Sequence, residues 1–261
     1  MNFKIRLSLI MLAGVAVIYT ACKKSSDDTS GPAITPTEIS SQIALDLSQN
    51  LFGEYTGINF GGGLDAPSGF AVKQRTNSRL LHSLSNPFCG LVVDTTLNET
   101  VTVGADSSIS VAGHIKFGFI CSGDNLTGFT TNDDLTIKVS TPELSLSSRI
   151  QENLTLQSLE PNNDNSNYSL TGTLNSTGTY LFKTGTKKTG TRSFNYVLTS
   201  LVLDSNSDDI VSGSASFITK GTGPKGSWSY SGTITFLAGH KATVTISGKV
   251  YKVNLQTGVV S

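Results

Sequence analysis

The chain has 261 residues and equal numbers of acidic and basic groups, 19 of each, so its formal net charge is zero. Charged residues make up 15%, well below the quarter that is usual in globular proteins, while Ser and Thr together contribute 67 residues. A hydrophobic content of 37% is enough for a core and argues against disorder throughout. With few Ala and Glu, a helix bundle is excluded, and the absence of a basic run makes nucleic acid an unexpected partner.

The first 21 residues predict an export signal. Lys4 and Arg6 form a basic start, and residues 7–18 are an apolar segment of 12 residues. A membrane-spanning helix needs about 20 apolar residues, so this segment is too short to be an anchor. Residues 1–21 are therefore interpreted as a secretory signal peptide that ends immediately before Cys22.

The residues around Cys22 resemble the lipobox of bacterial lipoproteins, in which small residues precede the cysteine, although Tyr19 stands where Leu is usual. The following run, Lys-Lys-Ser-Ser-Asp-Asp at residues 23–28, is similar to the surface-export signal of Bacteroidota lipoproteins. The resemblance implies that Cys22 is diacylated, carries palmitate and diacylglycerol, and anchors the protein in the outer membrane, exposed at the cell surface. Residues 22–35 then form a polar tether.

Cys89 and Cys121 are the remaining cysteines, and an even pair in an exported protein predicts a disulfide. A hairpin with its turn at residues 104–106 pairs residues whose numbers sum to 210. Val93 then lies opposite Phe117, and Cys89 lies opposite Cys121 on the buried face at the open end of the hairpin. No histidine is spaced for a shared metal site with these cysteines, so no metal is expected.

One helix is predicted after the tether. Residues 35–38 form a capping box with Pro36 at the first helical position. Apolar residues then repeat every four positions at Ile39, Ile43, Leu47 and Leu51, with Ala44 beside them. Gly53 can end the helix, and residues 53–69 are Gly-rich and predict a loop.

From about residue 88 onward, apolar residues alternate with Ser, Thr, Lys and Asn, which is typical of antiparallel sheet with one wet face. The pattern predicts a mainly β fold, a large curled antiparallel sheet or open barrel of about ten to twelve strands with the helix packed on it. Residues 36–261 are interpreted as a single domain, with a possible subdivision at 161–167. A C-terminal hairpin around residues 239–241 is predicted to pair residues whose numbers sum to 480, placing Phe236 opposite Val244 and Tyr230 opposite Val250.

Charge divides along the chain, with a net charge of −8 over residues 22–164 and +6 over residues 165–261. Either the two halves lie side by side and compensate, or the C-terminal half forms a basic face made of Lys183, Lys187, Lys188, Arg192, Lys220 and Lys225. Aromatic residues in a sheet usually belong to the core or to cross-strand pairs, but if exposed they would form a glycan platform. The candidate ligand-facing patch consists of Lys183, Lys187, Lys188, Arg192, Trp228 and Tyr230.

No motif predicts catalysis, so no catalytic residue, metal or cofactor is assigned and the protein is not expected to be an enzyme. The Gly-x-Gly-x-x-Gly run at 221–226 precedes a strand rather than a helix, and predicts a hairpin loop. Residues 204–209 match a calcium loop only at its first three ligand positions and predict a polar turn. A glycosidase would need paired carboxylates, but the acids in the predicted strands are isolated, at Glu99, Glu143 and Glu152.

The sequence therefore favours a non-catalytic outer-membrane surface lipoprotein that acts as a binding or scaffold module. Its expected partners are the membrane, through the N-terminal lipid, and a glycan or another envelope component. The alternative is a carrier that holds an apolar ligand in a lipocalin-like or lipoprotein-chaperone-like cavity, which rests on architecture alone.

Overall fold

The computed structural model describes residues 34–52 and 88–261, apart from residues 105, 162, 164, 165, 186, 206 and 208. It contains one helix, α1 (Pro36–Phe52), and ten strands over this part of the chain. The strands are β1 (Val92–Val103), β2 (Ser107–Ser122), β3 (Asn125–Ser140), β4 (Leu144–Ser158), β5 (Tyr168–Phe182), β6 (Thr189–Leu203), β7 (Ile210–Gly223), β8 (Gly226–Leu237), β9 (Lys241–Ile246) and β10 (Lys249–Asn254).

All ten strands form one antiparallel sheet in sequential order, β1 to β10. The sheet does not close, so β1 and β10 are its two edges and the open-sheet form of the predicted mainly β fold is confirmed. β4 and β5 pair along their whole length, from Leu144 opposite Phe182 to Ser158 opposite Tyr168. Pairing is therefore continuous across the connection at residues 161–167.

Alternation gives the sheet two chemically different faces. We call the face that carries Phe117, Leu154, Leu174, Phe194 and Phe217 the inner face; these side chains are buried in one apolar core. The opposite, outer face is made largely of Ser, Thr and Asn side chains because these occupy the intervening positions. α1 lies on the inner face, where it contacts β9 and β10.

The predicted helix and its cap are confirmed. The Thr35 hydroxyl accepts a hydrogen bond from the Glu38 amide at 3.2 Å, and the Glu38 carboxylate accepts one from the Thr35 amide at 2.8 Å. The apolar stripe is completely buried, since Ile39, Ile43 and Leu51 are 0% exposed. Gly53 and the loop predicted over residues 53–69 lie outside the described residues. No helix in the described ranges is long and apolar enough to cross a membrane.

The predicted disulfide and its hairpin register are confirmed. Cys89 and Cys121 are bonded, with their Cα atoms 5.5 Å apart. β1 and β2 pair with residue numbers summing to 210, as in Val93 opposite Phe117. The bridge is only half-buried, because it lies beyond the end of β1, where Phe88 packs on Phe119 with ring centroids 5.4 Å apart.

The predicted C-terminal register is wrong by two residues. Phe236 lies opposite Ala242, and Ile234 lies opposite Val244, so the paired numbers sum to 478. A shift of two keeps every side chain on its expected face. The chain also turns at Ser247 and Gly248, where φ is 50° and 79°. These positive angles suit a two-residue hairpin turn, so a tenth strand follows, and Val250 pairs with Thr245 rather than with Tyr230.

Candidate binding groove

A groove of about 540 Å³ crosses the outer face from β4 to β8. Two rows of outer-face side chains form its walls, each row built from residues paired directly across neighbouring strands. The first row is Ser147, Thr179, Thr191, Thr222 and Ser227; the second row is Arg149, Thr177, Ser193, Lys220 and Ser229.

The floor of the groove is the backbone of Gly178, Arg192, Gly221 and Trp228, which lie between the two rows. Their side-chain positions point to the inner face. A Cβ added to Gly178 would lie 3.3 Å from Arg192 Nε, and one added to Gly221 would lie 2.3 Å from the Trp228 ring. The groove is about 19 Å long, the distance across five neighbouring strands. It is about 7 Å wide, the distance between alternate residues of one strand.

The wall side chains are small and mostly hydroxylated. Eight of the ten are Ser or Thr, and none is a carboxylate. Thr191 and Thr222 share a hydrogen bond of 3.0 Å between their Oγ1 atoms, which orders the first row at its centre. Because a hydroxyl both donates and accepts hydrogen bonds, these rows present a regular array of both functions to a ligand.

The second row contains two basic side chains, of which one is paired with an acid and the other is not. Arg149 donates from Nε and Nη2 to the two Asp134 oxygens, at 2.7 Å and 2.5 Å, and these bonds lower the pKa of Asp134. Lys220 is exposed and has no ion-pair partner among the described residues. The positive charge that remains available in the walls is therefore centred on β7.

More cations gather at one end of the sheet. In an antiparallel meander alternate connections lie at the same end, so the β5–β6 and β7–β8 connections are neighbours. They carry Lys187 and Lys188 in the first and Lys225 in the second, all exposed. The connections at the opposite end carry acids, described at Asp124, Glu160 and Asp204. The end that carries these lysines also has two exposed acids, Asp106 in the β1–β2 connection and Glu143 in the β3–β4 connection. The cluster of lysines is therefore confined to the part of that end between β5 and β8.

The structure does not bring the six residues of the predicted patch together. Lys183 donates from Nζ to Ser140 Oγ and Thr141 O, both at 2.8 Å, so it ties the β5–β6 connection to β3. Arg192, Trp228 and Tyr230 point to the inner face; the Tyr230 hydroxyl donates to Ile34 O at 2.7 Å. Lys187 and Lys188 are the members exposed beside the groove, and their contact with a ligand stays a prediction.

The groove floor should be sensitive to added side-chain volume at Gly221 but not at Gly223. A Cβ at Gly221 would meet the Trp228 ring and Thr191 O, each at 2.3 Å, whereas the nearest atom to one at Gly223 is 3.6 Å away. We expect Gly221→Ala to lower the free energy of unfolding by about 1–3 kcal/mol. Urea unfolding of both variants tests this, and equal stability of the two would contradict the packing of Trp228 over Gly221.

The inner face contains a buried pair of acids, one of which, Glu152, was expected from the sequence to be isolated. Asp133 on β3 lies directly opposite Glu152 on β4, and each is 3% exposed. Thr131 donates to Asp133 Oδ2 at 2.6 Å, whereas both Glu152 carboxyl oxygens are buried without a hydrogen bond. Burial, and secondarily the nearby Asp133, raise the pKa of Glu152 well above its ordinary value, because burial penalises the charged carboxylate.

A third buried acid joins the helix to the sheet. Asp46 on α1 lies near Ser176 on β5 and Tyr196 on β6, with Asn50 and Arg192 also close. Burial is the largest effect and raises the pKa of Asp46, while these neighbours partly oppose it. Burial likewise raises the pKa of Tyr196. The helix therefore rests on polar as well as apolar contacts with the inner face.

The described histidines have structural partners. His114 Nε2 lies 2.5 Å from Asp94 Oδ1 between β2 and β1. Asp209 accepts hydrogen bonds from the amides of Gly239 and His240. These bonds hold the β8–β9 turn to the β6–β7 connection. Asp209 is the last residue of the segment 204–209 that was compared with a calcium loop. In the part of the chain that the structure describes, no group of three or more His, Cys, Asp or Glu side chains is placed to hold a metal ion. His82 and Cys22 lie outside that part.

Comparison of the chain with protein-family models, with curated proteins and with solved structures finds no match. The function is therefore inferred from the geometry and chemistry of the chain itself.

Proposed function

We propose that the protein is a non-catalytic, lipid-anchored module at the surface of the outer membrane that binds a linear glycan in the outer-face groove. The lipobox resemblance at Cys22 and the polar tether of residues 22–35 support the anchor. The groove across β4 to β8 is the observation that supports the binding role. In this proposal the lipid supplies attachment and the sheet supplies recognition.

The wall chemistry matches a saccharide chain better than an apolar ligand. Sugar rings carry hydroxyls along both edges, and the two hydroxyl rows stand about 7 Å apart on either side of the floor. The floor is backbone, because the side-chain positions of its residues point to the inner face. A ligand that runs across the strands would meet equivalent donor and acceptor groups about every 4.8 Å.

The inner face gives the carrier alternative no matching support. α1 occupies that face and contributes five apolar side chains that are 0–1% exposed, at Ile39, Ile43, Ala44, Leu47 and Leu51. Three acids, Asp46, Asp133 and Glu152, are also buried there. An apolar ligand would have to displace the helix from this core or lie against those acids, which is costly in both cases.

Blocking the groove tests the proposal. Thr177 lies in the second row and is exposed, so Thr177→Trp should fill the groove while leaving the inner core intact. We expect this variant to lose about tenfold or more in affinity for the glycans that the native protein binds, because an indole excludes the sugar from the floor. Binding is measured by calorimetry with dextran, pullulan, dextran sulfate and polygalacturonate.

Ser216→Trp is the matched control, since Ser216 is an exposed outer-face residue of β7 outside the groove. The control should bind as the native protein does. Equal binding by Thr177→Trp, or no binding to any polysaccharide of the panel, would contradict the groove as a glycan site. Lipid extraction from the same preparation, followed by mass spectrometry, tests the carrier: one tightly bound lipid per chain beyond the N-terminal anchor would favour it.

A further inference from the structure

We infer that the groove selects an acidic polysaccharide, a linear glycan that bears carboxylate or sulfate groups, through a basic rim formed by Lys187, Lys188, Lys220 and Lys225. This inference rests on the proposed glycan-binding function and adds to it the charge of the ligand. The lysines belong to three different parts of the sheet: the β5–β6 connection, the outer face of β7 and the β7–β8 connection. Lys187, Lys188 and Lys225 lie beyond the first row, whereas Lys220 belongs to the second row. The fold therefore places basic side chains on both sides of the same groove.

The groove lacks the acids that would neutralise this rim. None of its wall residues is a carboxylate. Asp134, on β3 beside the second row, is held by Arg149 through two hydrogen bonds. Glu143, in the β3–β4 connection, borders the β4 end of the groove. The positive potential is therefore greatest over β6 to β8, where Lys220 has no ion-pair partner among the described residues.

The lysines are close enough to act on a chain in the groove. Thr191, in the first row, follows Lys188 by three residues, and Ser227 follows Lys225 by two. At about 3.3 Å per residue these separations are about 7–10 Å along the strand. The Debye length at physiological ionic strength is about 8 Å, so charges on a bound glycan are only partly screened from the rim. Flexible lysine side chains can shorten the distance further.

Matched pairs of polysaccharides separate the charge of the ligand from its backbone. Dextran sulfate is compared with dextran, and polygalacturonate with its fully methyl-esterified form, using the full chain purified in detergent. We expect at least one acidic member to bind about tenfold or more tightly than its neutral partner at low salt, and to lose that advantage as salt is raised.

Charge variants then assign the effect to the rim. Lys220→Ser combined with Lys225→Ser should remove most of the preference for the acidic member. The control combines Lys249→Ser with Lys252→Ser, which removes the same charge from exposed residues of β10, away from the groove. We expect the control to keep the preference, because a loss of net charge alone should not abolish binding at a specific site.

The outcomes distinguish this inference from the function on which it rests. If neutral and acidic members bind equally and Thr177→Trp weakens both, the groove is a glycan site but the acidic selectivity is refuted. If both double variants lose the preference to the same extent, long-range net charge rather than the rim is responsible, which also refutes it. If duplex DNA binds as tightly as the acidic polysaccharide, and Thr177→Trp does not weaken its binding, the protein binds polyanions non-specifically and the inference is refuted. If none of the polysaccharides binds, the proposed function itself is overturned.

Discussion

Cys22→Ser is expected to release the protein from the membrane fraction completely. In the proposed lipoprotein, Cys22 carries the diacylglyceryl group and the N-terminal acyl chain. Two or more acyl chains give stable anchoring, whereas a single chain gives only marginal binding, so loss of the thiol that carries them removes the anchor. Expression of the native chain and the variant, followed by separation of outer membranes from soluble fractions and immunoblotting, measures the effect.

Lys23→Ala is the matched control, because it changes the next residue and leaves the cysteine in place. The control should remain with the outer membrane. Continued partition of the Cys22→Ser protein with outer membranes would contradict the lipid anchor. Release of both variants would show instead that attachment depends on the charge of the tether. Protease treatment of intact cells that express the native chain then tests surface exposure, since a surface protein is degraded and a periplasmic one is protected.

The helix and the first hairpin were predictable because local and long-range signals agreed. The capping box and the four-residue apolar repeat specify the same helix between Thr35 and Leu51. Gly104 fixes a turn with φ of 71°, and the register that follows from this turn brings two cysteines together. A one-residue slip would have placed Cys89 and Cys121 on different faces, so the disulfide itself checks the register.

The register predicted for the C-terminal hairpin was wrong because the turns of this region are formed by residues with weak turn preferences. Asn-Gly and Asp-Gly are the strong signals for a two-residue hairpin, whereas this chain turns at Ser247 and Gly248. His240 also adopts a positive φ of 53°, held by the hydrogen bond that its amide donates to Asp209. That acid is 31 residues earlier in the chain, so the pattern around the turn contains no sign of it.

The candidate site was only partly accessible from the sequence. Arg192 has the same parity as Phe194 and Tyr196, which already indicates that it faces the core rather than the surface. The groove, by contrast, requires the registers of four successive hairpins, since its walls combine residues from five strands. In addition, the sequence pattern of Ser and Thr residues is the same in the groove as on the rest of the solvent-exposed face, so it does not reveal the groove.

The buried acid pair could have been found by the same register argument as the disulfide. Asp133 and Glu152 share the parity of Leu135 and Leu154, and a turn after Thr141 pairs residues whose numbers sum to 285. Each acid on its own looks like a single polar interruption of an apolar face. Only their pairing shows that two carboxyl groups are buried together, which has a measurable consequence for stability.

Glu152→Leu is expected to stabilise the protein at neutral pH by about 1–4 kcal/mol, since replacing a poorly satisfied buried ionisable group with an apolar one of similar size is often favourable. The raised pKa fixes the direction of the pH dependence. The contribution of Glu152 to stability is greatest below its pKa in the unfolded chain and is lost as pH rises through the higher folded value. The advantage of the variant over the native chain should therefore grow as pH rises from about 4, the ordinary range of a glutamate side chain.

Urea unfolding of the native chain and the variant over a series of rising pH values measures the difference. Comparison of the two chains cancels the contributions of other groups, including Asp46, whose raised pKa gives a dependence of the same sign, and Asp134, whose lowered pKa gives the opposite one. Glu143→Leu is the control, because it makes the same replacement at an exposed position in the β3–β4 connection, outside the core. A Glu152→Leu advantage that is constant with pH would show that the Glu152 carboxyl keeps an ordinary pKa, and a destabilised variant would show that the pair is needed for packing.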